Sequence, residues 1–165
     1  MATTGKWIFG VNILMTAYLT GLIWTIQVVH YPLFAKVGKE NFITYLTDHN
    51  LLITYVVMLP MIIELAVSGW LLLQRPPQIP FWVAVSGFSL TCLIWLATFF
   101  VACTYHAELF AKGYNLEVIN NLVNANWIRT IAWTLHLGLL VYGFILILKP
   151  TPSKISNELT PQASL

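Results

Sequence analysis

Apolar residues run along this chain in four blocks, and most polar residues fall between the blocks or at their ends. The blocks extend from Trp7 to Tyr31, Leu51 to Leu73, Phe81 to Thr104 and Trp127 to Leu148. A membrane-crossing helix needs roughly 20 residues. The pattern therefore predicts an all-α fold: a four-helix transmembrane bundle with an up-down-up-down course. Pro32 closes the first block, Pro76, Pro77 and Pro80 confine the second and third to a tight turn, and Lys149-Pro150 ends the fourth. The two longer loops, 33–50 and 105–126, each carry a run with helical spacing. One is Lys39 to Leu46, with Phe42, Ile43, Tyr45 and Leu46 apolar. The other is Asn115 to Val123, with Leu116, Ile119, Leu122 and Val123 apolar and Asn115 as a candidate N-cap. These predict short amphipathic helices lying in the interface on one side. The four-span domain covers 1–150, and the polar, proline-containing tail 151–165 is expected to be disordered.

Composition agrees. Of 165 residues, 58% are hydrophobic and 8% charged, against about 25% charged in soluble domains. The lipid bilayer is thus the first partner. A net charge of +2 without a basic cluster offers nothing to nucleic acid. Lys6 opens an apolar run that continues to about Val29, longer than the ~7–15 residues of a signal-peptide core, so it reads as a retained first span. Lys6, Arg75, Lys149 and Lys154 fall on one side and Lys36, Lys39 and Lys112 on the other. The positive-inside rule then places both termini in the cytoplasm, as in a bacterial-type inner membrane. Cys92 and Cys103 stand about 16 Å apart along one helix and cannot pair there.

Polar residues inside the blocks are the candidates for chemistry, because ionisable groups in a membrane face a protein interior or a cavity. Arg129 and His136 are two helical turns apart with Trp133 between them. Glu64 is the one acid inside a block, and His136 is its expected partner in a proton relay. The predicted topology brings His30, His49 and His106 to one membrane face, with Gln27, Asn126 and Arg129 beside them. Neutral imidazole binds zinc, copper and iron, so the three histidines are candidate metal ligands. Against this, the chain has no HxxxH, HExxH or ExxH spacing, and too few glutamates for a di-iron bundle. A b-type haem between His30 and His106 has only their helix-end positions in its favour. Trp95 and Trp133 lie inside the spans and are candidate walls of a pocket for a lipophilic small molecule, whereas Trp7, Trp82 and Trp127 suit an interfacial belt. The sequence sets no oligomeric state.

Three short motifs resemble those of the anthrone oxygenase-like family of small four-span membrane proteins. They are Val29-His30-Tyr31-Pro32-Leu33-Phe34, Thr104-Tyr105-His106-Ala107-Glu108-Leu109 and Asn126-Trp127-Ile128-Arg129-Thr130. Where the family tends to have asparagines and a proline after the third span, this chain has His106 and Glu108. The resemblance implies oxygenation of a phenolic or polyketide-like aromatic and names no cofactor. The expectation is a small membrane oxidoreductase acting on a lipophilic substrate. In it, Arg129 clamps an anion or carbonyl, His136 and Glu64 move protons, and Gln27, Trp95, Asn126 and Trp133 line the substrate site. The competing expectation is a non-enzymatic binding, assembly or transport subunit whose polar residues serve helix packing.

Overall fold

The computed structural model describes residues 2–149; the tail 151–165 lies outside them. Four helices are long and apolar enough to cross a membrane: α1 (Thr4–Phe34), α2 (Phe42–Leu71), α3 (Phe81–Lys112) and α4 (Leu116–Leu148). This is the organisation of a multi-pass membrane protein. Each helix packs on two neighbours in the order α1–α2–α3–α4–α1, and the α2–α3 seam is the loosest. Large apolar side chains such as Leu52, Tyr55, Leu59, Phe100 and Ile131 point outward. In lipid that surface needs no cover.

The two amphipathic runs are helical, but each forms the first turns of a span and neither is a separate interfacial helix. Phe42 begins α2 directly, and Leu116 begins α4 behind the Asn115 side chain, which accepts from the Val118 amide at 3.1 Å. α3 likewise continues past Thr104 to Lys112. Their apolar stripes are absorbed by the bundle: Phe42, Leu46, Leu109, Ile119 and Leu122 are all fully buried. Helices of 30–33 residues are roughly 45–50 Å long, against about 30 Å of hydrocarbon. Lys36, Lys39, Glu40, Asp48, Glu108, Lys112 and Glu117 mark the end at which the excess stands, called the histidine end below.

Two helices widen by one residue at that end. π-Helical turns occupy Ile26–His30 in α1 and Thr98–Ala102 in α3, closed by Tyr31 N–H to Ile26 O and Cys103 N–H to Thr98 O. Pro32 accounts for the first: it lacks an N–H, and its ring crowds the carbonyl four residues back. Pro60 frees the Val56 carbonyl in the same way within α2, and the Tyr18 hydroxyl of α1 takes it up at 3.3 Å.

The interior is layered. One apolar cluster fills the histidine end around Phe34, Leu46, Ile94 and Trp133. A smaller one, with Phe9, Leu71, Ile79, Val83 and Leu140, fills the other. Between them lies a buried polar layer of Asn12, Thr16, Glu64, Ser68, Thr91 and His136. Beyond the second cluster, α1 passes so close to the α2–α3 turn that a Cβ on Gly5 would lie 2.8 Å from the Gln74 carbonyl oxygen.

That contact is with backbone, which cannot swing aside. Gly5→Ala should therefore lose about 1–3 kcal/mol despite its better helix propensity, read as an earlier unfolding midpoint in detergent. Gly10→Ala, where a Cβ meets nothing within 4 Å, should not.

Candidate functional site

The wide turn in α1 aims Gln27 at α4. Gln27 Nε2 donates to the Val123 carbonyl at 3.1 Å, and its Oε1 accepts from Asn126 Nδ2 at 2.8 Å and from the Thr130 hydroxyl at 3.3 Å. Asn126 Oδ1 in turn accepts from Arg129 Nη2. The same guanidinium nitrogen donates to the Tyr31 hydroxyl at 3.1 Å. That hydroxyl also pairs with His106 Nε2, 3.2 Å away. One chain of bonds thus runs from α1 through α4 and back to α1, ending on α3.

His30, His49 and His106 do gather beside it. His30 Nε2 and His49 Nδ1 are 2.7 Å apart, and the His49 and His106 rings stack at 5.4 Å between centroids with 16° between planes. Phe34, fully buried, sets its ring edge-on against all three. Two nitrogens on a tetrahedral zinc with ~2.0 Å bonds would stand about 3.3 Å apart, and ligand rings aim their edges at one point. Among the described residues no group of three His, Cys, Asp or Glu is placed to hold a metal ion. The metal-ligand reading finds no support in this geometry. Nor does a haem between His30 and His106, since Phe34 packs against both rings.

In front of this network lies a cavity of about 380 Å³, within the range of small-molecule sites. Leu19, Ile23, Ile26, Met61 and Trp133 form its back. Thr54, Phe99, Cys103, Ala107 and Phe110, all exposed, form its mouth between α2 and α3. The mouth therefore opens sideways out of the bundle, along its loosest seam. Its walls are mostly apolar, with Tyr31, His106 and Arg129 as the polar end. Arg129 is 7% exposed, its Nε is buried without a hydrogen-bond partner, and no carboxylate among the described residues pairs with it.

Glu64 occupies the polar layer deeper in the bundle. Its Oε1 accepts from the Thr16 hydroxyl at 2.8 Å and lies 3.2 Å from His136 Nδ1; its Oε2 accepts from Trp133 Nε1 at 3.0 Å. α1, α2 and α4 are tied together at this one carboxyl group, and Thr91 of α3 approaches His136 Nδ1 at 3.5 Å. Trp133 belongs to both sites, with its ring on the cavity wall and its N–H on Glu64.

The candidate residues thus separate into groups. Arg129, Trp133 and His106 reach the cavity. Gln27 and Asn126 stand behind Arg129 and position it. His30 and His49 lie beside the polar end and do not line it. Glu64 and His136 form a second site, deeper in the bundle and not on the wall of this cavity. Trp95 packs against Phe99 and the histidine-end cluster and is not on the cavity wall. Tyr31, which joins Arg129 to His106, was not singled out by sequence. Its one signal is its place between His30 and Pro32. The signal for Thr16 is the four-residue spacing of Asn12, Thr16 and Thr20, which sets all three on one face of α1.

The Thr16–Glu64 bond can be isolated by a double-mutant cycle. Thr16→Val should cost roughly 0.6–1.7 kcal/mol in the native chain and almost nothing in a Glu64→Leu background, measured by unfolding in mixed micelles. Equal losses in both backgrounds would mean that the bond is not formed. No known family model, curated protein or solved structure matches this chain.

Proposed function

We propose that this protein is a small membrane oxidoreductase of oxygenase type, acting on a lipophilic phenol that enters from the bilayer between α2 and α3. The observation that carries the reading is Arg129: a buried guanidinium at the polar end of an apolar cavity, with no carboxylate partner among the described residues and its Nε–H unused. A cation in such a place is stabilised by a ligand that brings an anionic oxygen. The apolar body of the ligand rests on Leu19, Ile23, Met61 and Trp133. Its oxygen meets Arg129 and the Tyr31 hydroxyl.

The proposed chemistry begins with acid–base work. His106 accepts the phenolic proton, directly or through Tyr31, whose hydroxyl lies 3.2 Å from Nε2. Arg129 holds the phenolate that results. A phenolate loses electrons more readily than its phenol, so this step prepares the ring for oxidation by dioxygen. That is the type of reaction implied by the resemblance of the His30–Phe34, Thr104–Leu109 and Asn126–Thr130 motifs to the anthrone oxygenase-like family. Gln27 and Asn126 act by orienting Arg129.

The competing role, in which these polar residues only hold α1 to α4, predicts different behaviour of one variant. Arg129→Gln keeps a donor for Tyr31 but loses the cation. With a tricyclic anthrone-type phenol as ligand, it should weaken binding about tenfold or more, or about 1.4 kcal/mol. Quenching of Trp133 fluorescence, identified by its loss in Trp133→Phe, reports the affinity. Unchanged affinity in a folded Arg129→Gln protein, or no binding by the native chain, would overturn the proposal. A lowered unfolding midpoint with affinity intact would favour the packing role.

A further inference from the structure

A second, much smaller cavity lies beyond Glu64, toward the α2–α3 turn. Asn12, Ser68, Arg75, Gly87 and His136 are among its walls. Its volume of about 10 Å³ is close to the least that admits one water molecule. Two buried atoms without a hydrogen-bond partner belong to its walls: Asn12 Oδ1 and His136 Nε2, on residues 1% and 0% exposed. Asn12 Oδ1 is an acceptor. His136, with its hydrogen on Nδ1 toward Glu64, presents Nε2 as a second acceptor. A water molecule has two hydrogens and satisfies both. Gly87 leaves the room for it, since a Cβ there would stand 3.1 Å from His136 Nε2. A glycine inside a helix costs about 1 kcal/mol relative to alanine, so the opening is maintained against propensity.

Position along the helix sets the direction. Glu64 is seven residues from the Leu71 end of α2 and 22 from the Phe42 end, or about 10 Å against about 33 Å. On the histidine side the Trp133 ring and the apolar cluster close it off. On the other side the cavity reaches Arg75, next to the turn.

We infer that this cavity is a water site which, through His136, carries protons between Glu64 and the membrane face bearing the α2–α3 turn. A proton arriving on the water adds to Nε2. The Nδ1 proton passes to Glu64 Oε1, 3.2 Å away, and the imidazole is left as its Nε2–H tautomer. The reverse sequence returns the proton to the same face. The groups facing the pair are Thr16 from α1, Thr91 from α3 and Trp133 from α4, none of which competes as a base. Arg75 at the outer end is the charged group of the cavity. This path is separate from the larger cavity and does not depend on a ligand there.

Nuclear magnetic resonance of the full chain in lipid nanodiscs, with ring-15N histidine, tests the path. The His136 signal is assigned by its loss in His136→Gln. Saturating the water resonance should transfer to the His136 ring hydrogen. Gly87→Ala places a methyl group where the water sits, and Asn12→Leu removes the other acceptor. Each should slow the transfer roughly tenfold or more, the factor that about 1.4 kcal/mol produces. Cys103→Trp, on the mouth of the larger cavity, should leave it unchanged. The signals of His30, His49 and His106 report whether each variant is folded, and either of the two blocking variants suffices. No transfer in the native chain, transfer unaffected by the folded blocking variants, or slowing by Cys103→Trp would each overturn the inference.

Discussion

Hydrocarbon supplies no hydrogen bonds, so the buried polar groups of this bundle depend on partners within the protein, on their own helix or a neighbouring one. The rest of the interior follows from that constraint. Glu64 is satisfied only because Thr16, Trp133 and His136 arrive from two other helices. Gln27 saturates its amide on Val123, Asn126 and Thr130. Each such bond is worth only about 0.6 kcal/mol on average in a membrane, yet several together fix the register of α1 against α4. The helices cannot slide without orphaning a set of donors and acceptors at once.

The constraint also gives meaning to the atoms that escape it. Beside His49 Nε2, Trp95 Nε1 and His106 Nδ1, three buried atoms are unpaired among the described residues: Arg129 Nε, Asn12 Oδ1 and His136 Nε2. The first belongs to an apolar cavity whose mouth opens between α2 and α3. The other two share a cavity of one-water size. The polar interior is in this way two sites back to back, with Trp133 as the wall between them. Its ring faces the larger cavity and its N–H is committed to Glu64, which locks the rotamer that separates the two.

The wide turns at Ile26–His30 and Thr98–Ala102 belong to the same organisation. Such turns often mark functional positions. Here they stand at the level of the polar end of the larger cavity, one leading into Tyr31 and the other into the turn that carries His106. Proline explains the turn in α1; the one in α3 has no proline behind it, and the Thr98 hydroxyl bonded to the Ile94 carbonyl at 2.8 Å is its one local feature.

Much of the fold was legible in the sequence, because a bilayer imposes a length on apolar segments and a position on prolines and charges. Four spans, the tight α2–α3 turn, the Asn115 cap and the gathering of three histidines at one end all follow from spacing and alternation. The partnership of Glu64 with His136 was legible too, as the one acid and the one histidine deep in the spans. Tertiary structure decided what spacing cannot encode. Offsets of a few ångströms between helices hydrogen-bonded His30 to His49 and stacked His49 on His106, put Tyr31 at the junction of Arg129 and His106, and turned Trp95 away from the cavity that Trp133 lines. The amphipathic runs merged into α2 and α4 because their apolar faces found the bundle before they found the interface. Periodicity along a chain states which face of a helix is polar. Only packing states which other face it meets.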